Sequence, residues 1–328
     1  MHTRAELPGG VPREGFGPRL SAVVALCTVH FRQSKRLAKE LVSTLLGVDL
    51  STGAISKIEH RTAQMLAEPT AQALGHVKEQ AVVNADETGW YEGKKDGRKQ
   101  RGWLWVATTK LVSVFVIAKS RGEDVARVLL GDAFSGILGS DRFGAYNFVD
   151  ARRRQFCWSH LARDFAAFID RGGLGKRIGE ALLAEVKEMF GYWHRARDGT
   201  MSRKTFERRM GPIQWKIIEL LEEAALTAGG KTAATAKRLV KHQQALFTFV
   251  RVPGVEPTNN ASEQRLRQAV ITRKLSFGTE SEHGSRFVER MLTVGTTLGQ
   301  QNRNVLDYLV AANQARIDGR SAPSILPA

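Results

Sequence analysis

The chain has 328 residues, enough for one large domain or two smaller ones, and its 42% hydrophobic and 25% charged residues are ordinary for a globular protein. The net charge of +16 is not ordinary: it suits a polyanionic partner, with nucleic acid the default and generic basicity the alternative. Two cysteines, Cys27 and Cys157, exclude a disulfide framework and fit a reducing cytoplasm. The apolar run LSAVVALCTVHF is too short to span a bilayer, Arg4, Glu6, Arg13 and Glu14 do not make a secretory signal, and no membrane partner is expected.

Residues 1–17 are rich in Gly and Pro and read as loose. Residues 18–79 read as helical. Leu37, Leu41, Leu45 and Leu46 fall on one stripe, Gly47 closes that helix, and Ser51 or Thr52 caps the next. Ile55, Ile58, Met65 and Leu66 are expected to face inward and Lys57, His60 and Arg61 outward. The pair reads as a helix-turn-helix that places Lys57 and Arg61 on DNA, or as a helical hairpin that only packs on its neighbour.

The character changes at residue 80. AVVNADE, GWLWVATT and LVSVFVIAKS are β-branched or aromatic, and KKDGRKQRG joins the first two as a hairpin-type connection. A short helix over 122–132 and an apolar strand over 135–141 follow. Residues 80–150 thus run β-β-β-α-β, with the first and fourth strands as neighbours in a central mixed sheet. Trp103 and Trp105 share a strand face and are read as core.

Residues 151–252 read as a basic helical segment, in which Ile178, Leu182, Val186 and Met189 make one stripe. Between 151 and 216 there are 15 Lys/Arg against 7 Asp/Glu, a concentration that favours contact with phosphates over a merely solvated face. Over 253–317 a Pro/Gly loop leads into a helix capped by Thr258, Asn259 or Asn260, with Glu263 in its first turn, and further helices. Residues 318–328 read as a loose tail.

Asp86, Asp141 and Glu263 each stand at the edge of an apolar segment. Carboxylates brought together repel by roughly several kcal/mol at low effective dielectric, and a cation relieves that repulsion. Oxygen ligands without a Cys/His set suit Mg²⁺ or Mn²⁺, and two such ions can activate an attacking oxygen and stabilise a leaving one. A carboxylate at Glu263 also complements the helix dipole, which alone can explain it. Glu87 is a rival to Asp86, but alternation along a strand sends the two to opposite faces, leaving Glu87 to bond Thr88 or an arginine. Cys157 and His160 stand at ligand spacing without a second pair, so packing beside the active site is favoured over a zinc site, to which only His194 or Cys27 could add ligands through the fold.

NADETGW, GSDRFGAYN, QFCWSHLARDF and TNNASEQRLRQAVITRKLSFGT, in that order, resemble the motifs of the IS66 family of insertion-sequence transposases, and the similarity runs from about residue 16 to 317. The resemblance implies an RNase H-like catalytic core with a large helical insertion, preceded by a helix-turn-helix-like N-terminal region. It also implies a D-D-E triad of Asp86, Asp141 and Glu263 holding two Mg²⁺ (or Mn²⁺) ions. The implied reaction is cutting of DNA at the element ends and joining of the freed 3′-OH to target DNA. A homodimer or higher assembly is implied in the active complex, with element-encoded accessory proteins as further partners, in a bacterial cytoplasm at the nucleoid. Longer members carry a cysteine-rich, zinc-finger-like N-terminal segment, to which nothing in this sequence is similar.

Around that triad, Arg152, Arg153, Arg154, His160, Arg163, Arg267, Arg273 and Lys274 join Lys57 and Arg61 as candidate DNA contacts. Arg267, one turn after Glu263, serves equally as an intrahelical ion-pair partner. A repurposed, non-catalytic DNA-binding protein and a housekeeping RNase H-like nuclease are the competing readings.

Overall fold

The computed structural model describes residues 15–327, so most of the segment 1–17 expected to be loose lies outside the described residues. The chain opens with helices α1 (Pro18–Ala25), α2 (Lys35–Leu46), α3 (Thr52–Met65) and α4 (Ala67–Lys78). Strands β1 (Val82–Lys95), β2 (Arg98–Thr108) and β3 (Ser113–Ala118), helix α5 (Glu123–Leu130), and strands β4 (Ile137–Ser140) and β5 (Arg154–Phe156) come next. Helices α6 (Trp158–Asp170), α7 (Gly173–Arg197), α8 (Arg203–Thr227), α9 (Gly230–Lys241), α10 (Thr248–Arg251), α11 (Asn260–Ser276), α12 (Glu282–Gln300) and α13 (Val305–Ile317) complete it. The protein is mixed α/β, with a five-stranded sheet in the order β3-β2-β1-β4-β5. The chain divides into two compact units, one of residues up to 80, 86–134 and from 262 onward, the other of 81–85 and 135–261.

In the first unit, the caps read from the sequence are in place. Gly47 adopts a left-handed φ of 65° after α2, and the Ser51 hydroxyl accepts the Ala54 N–H at the start of α3. Ile55, Ile58 and Leu66 are buried, Met65 and Arg61 are half-buried, and Lys57 and His60 are exposed. The leucine stripe of α2 is a correction. Leu37, Leu45 and Leu46 are more than half exposed, and the buried pair is Ala38 and Val42. Periodicity identifies a common face but not which face is covered. The helices are not a free-standing body, because α1 packs along α13 and α3 along α12.

Strands β2 and β3 pair antiparallel, from Trp103 opposite Ala118 to Thr108 opposite Ser113. The outer edge of β3 is covered by α12. Its Ser113, Phe115 and Ile117 N–H groups donate to Thr297 Oγ1 (3.1 Å), Thr293 Oγ1 (3.0 Å) and Glu289 Oε2 (3.0 Å). The acceptors stand four apart on one helix face and the donors two apart on one strand edge, so side chains take the place of a sixth strand. The tail expected to be loose has no helix or strand over 320–327, but it is tied down: Gln301 Nε2 donates to Ile325 O (2.9 Å), Tyr308 donates to Pro323 O (2.8 Å), and Ile325 is buried.

In the second unit, β1 and β4 are neighbours, as the strand order predicts, and pair parallel (Val82 with Ile137, Val83 with Leu138, Asn84 with Gly139); β4 also pairs parallel with β5. The strand β5 was hidden in a stretch read as helix. It is three residues long, and its pairing with β4 defines it. Helices α6 to α9 bury Trp158, Phe165, Phe168, Ile178, Leu182, Val186, Met189 and Phe206 in one core, which includes the whole predicted α7 stripe.

Candidate functional site

Asp86 is not at the end of its strand but five residues into a fourteen-residue one. Alternation separates it from Glu87. Residues 83, 85 and 87 are buried, while 84, 86 and 88 are half-buried. Glu87 Oε1 accepts from Arg121 Nη2 (2.8 Å) and Nε (3.2 Å), and the Arg121 guanidinium lies 4.5 Å from the Trp103 ring centroid. The carboxylate of Glu87 is thereby committed to an internal ion pair, as the alternation argument expects. Trp105 is fully buried, but Trp103 is half-buried and stacks with Arg101 as well as Arg121. Shared parity therefore did not make both tryptophans core.

Glu263 lies in the first turn of α11 and is half-buried. Ten residues on, Arg273 Nη1 donates to Thr88 Oγ1 (3.2 Å) and to Gly89 O. Thr88 has the parity of Asp86, so α11 is tied to the strand face that carries that acid. Arg273, read from the sequence as a DNA contact, is a strut between helix and strand.

In the second unit, Asp141 directly follows β4. Its Oδ1 accepts the Phe143 N–H (2.8 Å), a side-chain turn that holds the carboxylate in one orientation. Beneath it lies Arg154 on β5, 2% exposed. Arg154 donates to Ser140 Oγ (3.1 Å), Asp141 O (3.0 Å) and Asn147 Oδ1 (3.0 Å). Burial pushes its guanidinium down to about 10, which the nearby Asp141 opposes. Arg154, expected on a DNA-facing surface, is a correction: it holds the Asp141 loop from below. A shallow depression of about 360 Å³ opens at Asp141, lined by Asp141, Arg142, His160, Arg163, Asp164 and Arg238. Arg142 is paired with Asp164.

Asn84 was not singled out by sequence reasoning, and Asn259 only as one of three possible helix caps. Asn84 Nδ2 donates to Asn259 Oδ1 (2.9 Å), and Asn259 Nδ2 donates to Ala85 O (2.9 Å). Asn259 is 1% exposed, and its N–H donates to Cys157 Sγ (3.2 Å). This arrangement needs glycine at 139, where a Cβ would stand 2.5 Å from Asn84 Nδ2. The signal was present in NADETGW and TNNASEQ, where each asparagine stands within a few residues of a proposed acid. Next to Cys157, Trp158 is buried with its Nε1 on Leu246 O (2.7 Å).

The model of the family described as "Transposase IS66 family" matches residues 14–286. The chain belongs to this family. Two uncharacterized proteins of Sinorhizobium fredii are similar to it. The first, y4qI, is 28% identical over 75% of this chain and 49% of its own length. The second, y4hP, is 24% identical over 87% of this chain and 57% of its own length. The chain thus spans about half the length of the curated relatives it matches. Among the described residues no helix is long and apolar enough to cross a membrane.

Of the other basic residues proposed from the sequence of this IS66 chain, Lys57, Arg152, Arg163, Arg267 and Lys274 are exposed, and Arg61, Arg153 and His160 are half-buried. Arg152 bonds Gln244, and Arg163 the Ser159 carbonyl, which leaves further donors on each guanidinium.

Proposed function

We propose that this protein cuts DNA at the ends of an insertion sequence and transfers the freed 3′-OH to target DNA, using Asp86, Asp141 and Glu263 in an RNase H-like core. The observation that carries the reading is the β1–β4 register. Asn84 pairs with Gly139 in parallel strands, Asp86 lies two residues beyond Asn84, and Asp141 two residues beyond Gly139. The asparagine pair adds support: Asn259 bonds the carbonyl of Ala85, next to Asp86, and directly precedes the helix whose first turn carries Glu263.

The proposed donor set is three carboxylates, the hard oxygen ligands that Mg²⁺ or Mn²⁺ prefers. Two such ions, held by Asp86, Asp141 and Glu263, would supply an activated oxygen nucleophile and a stabilised leaving oxygen. The chain's own task is to hold these acids still and to seat the phosphate. Arg154 and the Phe143 N–H orient Asp141. Arg163 and Arg238 line the depression beside Asp141, and in this reading they would neutralise phosphate oxygens. DNA at element ends and at the target is the substrate, bound by a dimer or larger assembly in which two ends meet, with element-encoded proteins as further partners.

The test is a nicking assay on element-end DNA in Mg²⁺, with a binding assay alongside. Asp86→Asn is expected to abolish cleavage while DNA binding survives. Full cleavage by that variant would sink the assignment. Binding without cleavage by the wild type would support the repurposed, non-catalytic reading instead.

A further inference from the structure

The β1–β2 hairpin and the loop after α11 form a surface to which the proposed chemistry assigns no role. The hairpin turns at Asp96-Gly97, both with positive φ (51° and 74°), and its tip carries exposed Lys94, Arg98, Lys99 and Arg101. Beside it, Phe277 directly follows the last residue of α11. This residue holds a φ of 58°, in the left-handed region that a bulky side chain rarely adopts, and is 68% exposed. Helices commonly place Gly or Asn at that position.

The ring stands outward on a backbone that is hydrogen-bonded to β1. Gly278 lies directly against the Tyr91 carbonyl, where any Cβ would collide. Thr279 N donates to Tyr91 O (2.9 Å), and Gly93 N donates to Thr279 O (2.8 Å). Thr279 Oγ1 accepts from Trp90 Nε1 (3.2 Å). The Lys99 ammonium sits 4.7 Å from the Phe277 ring centroid and 5.8 Å from that of Tyr91, itself 43% exposed, and donates to Phe277 O (3.2 Å).

We propose that Phe277, with Tyr91 and the basic hairpin tip, is a stacking platform for an unpaired DNA base, the cations of the tip holding the flanking phosphates. An exposed flat ring ringed by Lys and Arg is the combination that single-stranded nucleic acid rewards. A ring this open stacks on a base whose face is free, which a single-stranded end offers at each base and an intact duplex only at its terminal pairs, so a frayed or single-stranded end fits best. The assignment rests on the reading above in taking DNA as the polyanion. It concerns residues other than the acids.

Fluorescence anisotropy on a blunt duplex, and on the same duplex with a short single-stranded 3′ end, tests it. The wild type is expected to prefer the single-stranded end. Phe277→Gly is expected to lose that preference, binding the end about tenfold more weakly, with blunt-duplex affinity unchanged. Its melting temperature should be no lower than wild type, because glycine accepts the left-handed backbone. Phe277→Tyr should restore the preference, and an abasic end should reproduce the glycine variant's loss. Lys99→Gln should lower the salt dependence of binding by about 0.7 in slope for each phosphate that is no longer neutralised. An unchanged preference in a folded Phe277→Gly protein overturns the platform, and so does equal wild-type binding to both DNAs. Wild-type nicking in Mg²⁺, measured on the same preparation, reports separately on the proposed function. Nicking with no end preference removes only the platform; end preference with no nicking removes only the catalytic reading.

Discussion

The side-chain amide of Asn84 donates to that of Asn259 at 2.9 Å, across the space left by the missing side chain of Gly139. One contact thereby joins a strand residue to the residue that directly precedes α11, 175 positions later in the chain. Asn259 completes the link by donating to the carbonyl of Ala85.

Asn259→Ala is expected to leave Ala85 O and Asn84 Nδ2 without their partners in a buried site, at a cost of roughly 1–3 kcal/mol each. Chemical denaturation should show a lower midpoint with an unchanged slope. If the pair positions the acids, cleavage should fall further than stability predicts while DNA binding holds. Cleavage that tracks only the folded fraction would leave the pair a purely structural role.

Arg154 and Arg163 are expected to separate cleanly. Arg154→Met removes a buried guanidinium from Ser140, Asn147 and the Asp141 carbonyl, and thermal unfolding should register a loss of roughly 3 kcal/mol or more. Arg163→Gln, on an exposed residue, should leave stability within about 0.5 kcal/mol of wild type and weaken DNA binding through its salt slope. Equal stability of the two variants would contradict the burial of Arg154.

The Thr293 hydroxyl accepts the buried Phe115 N–H at the β3 edge. Thr293→Val keeps the shape and removes the acceptor, so a loss of about 1–3 kcal/mol is expected. Amide exchange at Phe115 should accelerate, whereas the amides of β2 in mid-sheet should follow global stability alone.

Glu289, at the same edge, is pushed up to about 7 by burial, with Arg286 and the Ile117 N–H opposing the shift. A carboxyl group raised in the folded state binds more protons there than in the unfolded chain. Its contribution to stability is therefore full below the ordinary glutamate range and is lost as pH rises through about 7. Glu289→Gln, which can still accept from Ile117, should flatten stability against pH between about 4.5 and 7. A wild-type curve that rises over that window through this residue would contradict the assignment.

Much of this was legible because local chemistry decided it. Gly47 and Ser51 mark helix ends by backbone freedom and capping, and Asp96-Gly97 marks a turn by tolerating positive φ. Alternation along β1 separated Asp86 from Glu87 before any partner was known. The α7 stripe was readable because a long helix with one apolar face buries that face.

What the sequence could not supply depends on partners distant in the chain. Ala38 and Val42 are covered while Leu37, Leu45 and Leu46 are not, because coverage is set by the neighbouring helices. The stretch around Arg154 read as surface basicity until β5 paired with β4 and enclosed it. By itself the sequence determined most elements and their order, though not β5, together with the caps of α2 and α3 and the family resemblance, since each follows from residues within a few positions of one another. Only the tertiary structure decided that Asn84 and Asn259 are partners, that Arg154 is a strut and that Phe277 faces outward. Each of these rests on which backbone and side-chain groups folding brings within bonding distance.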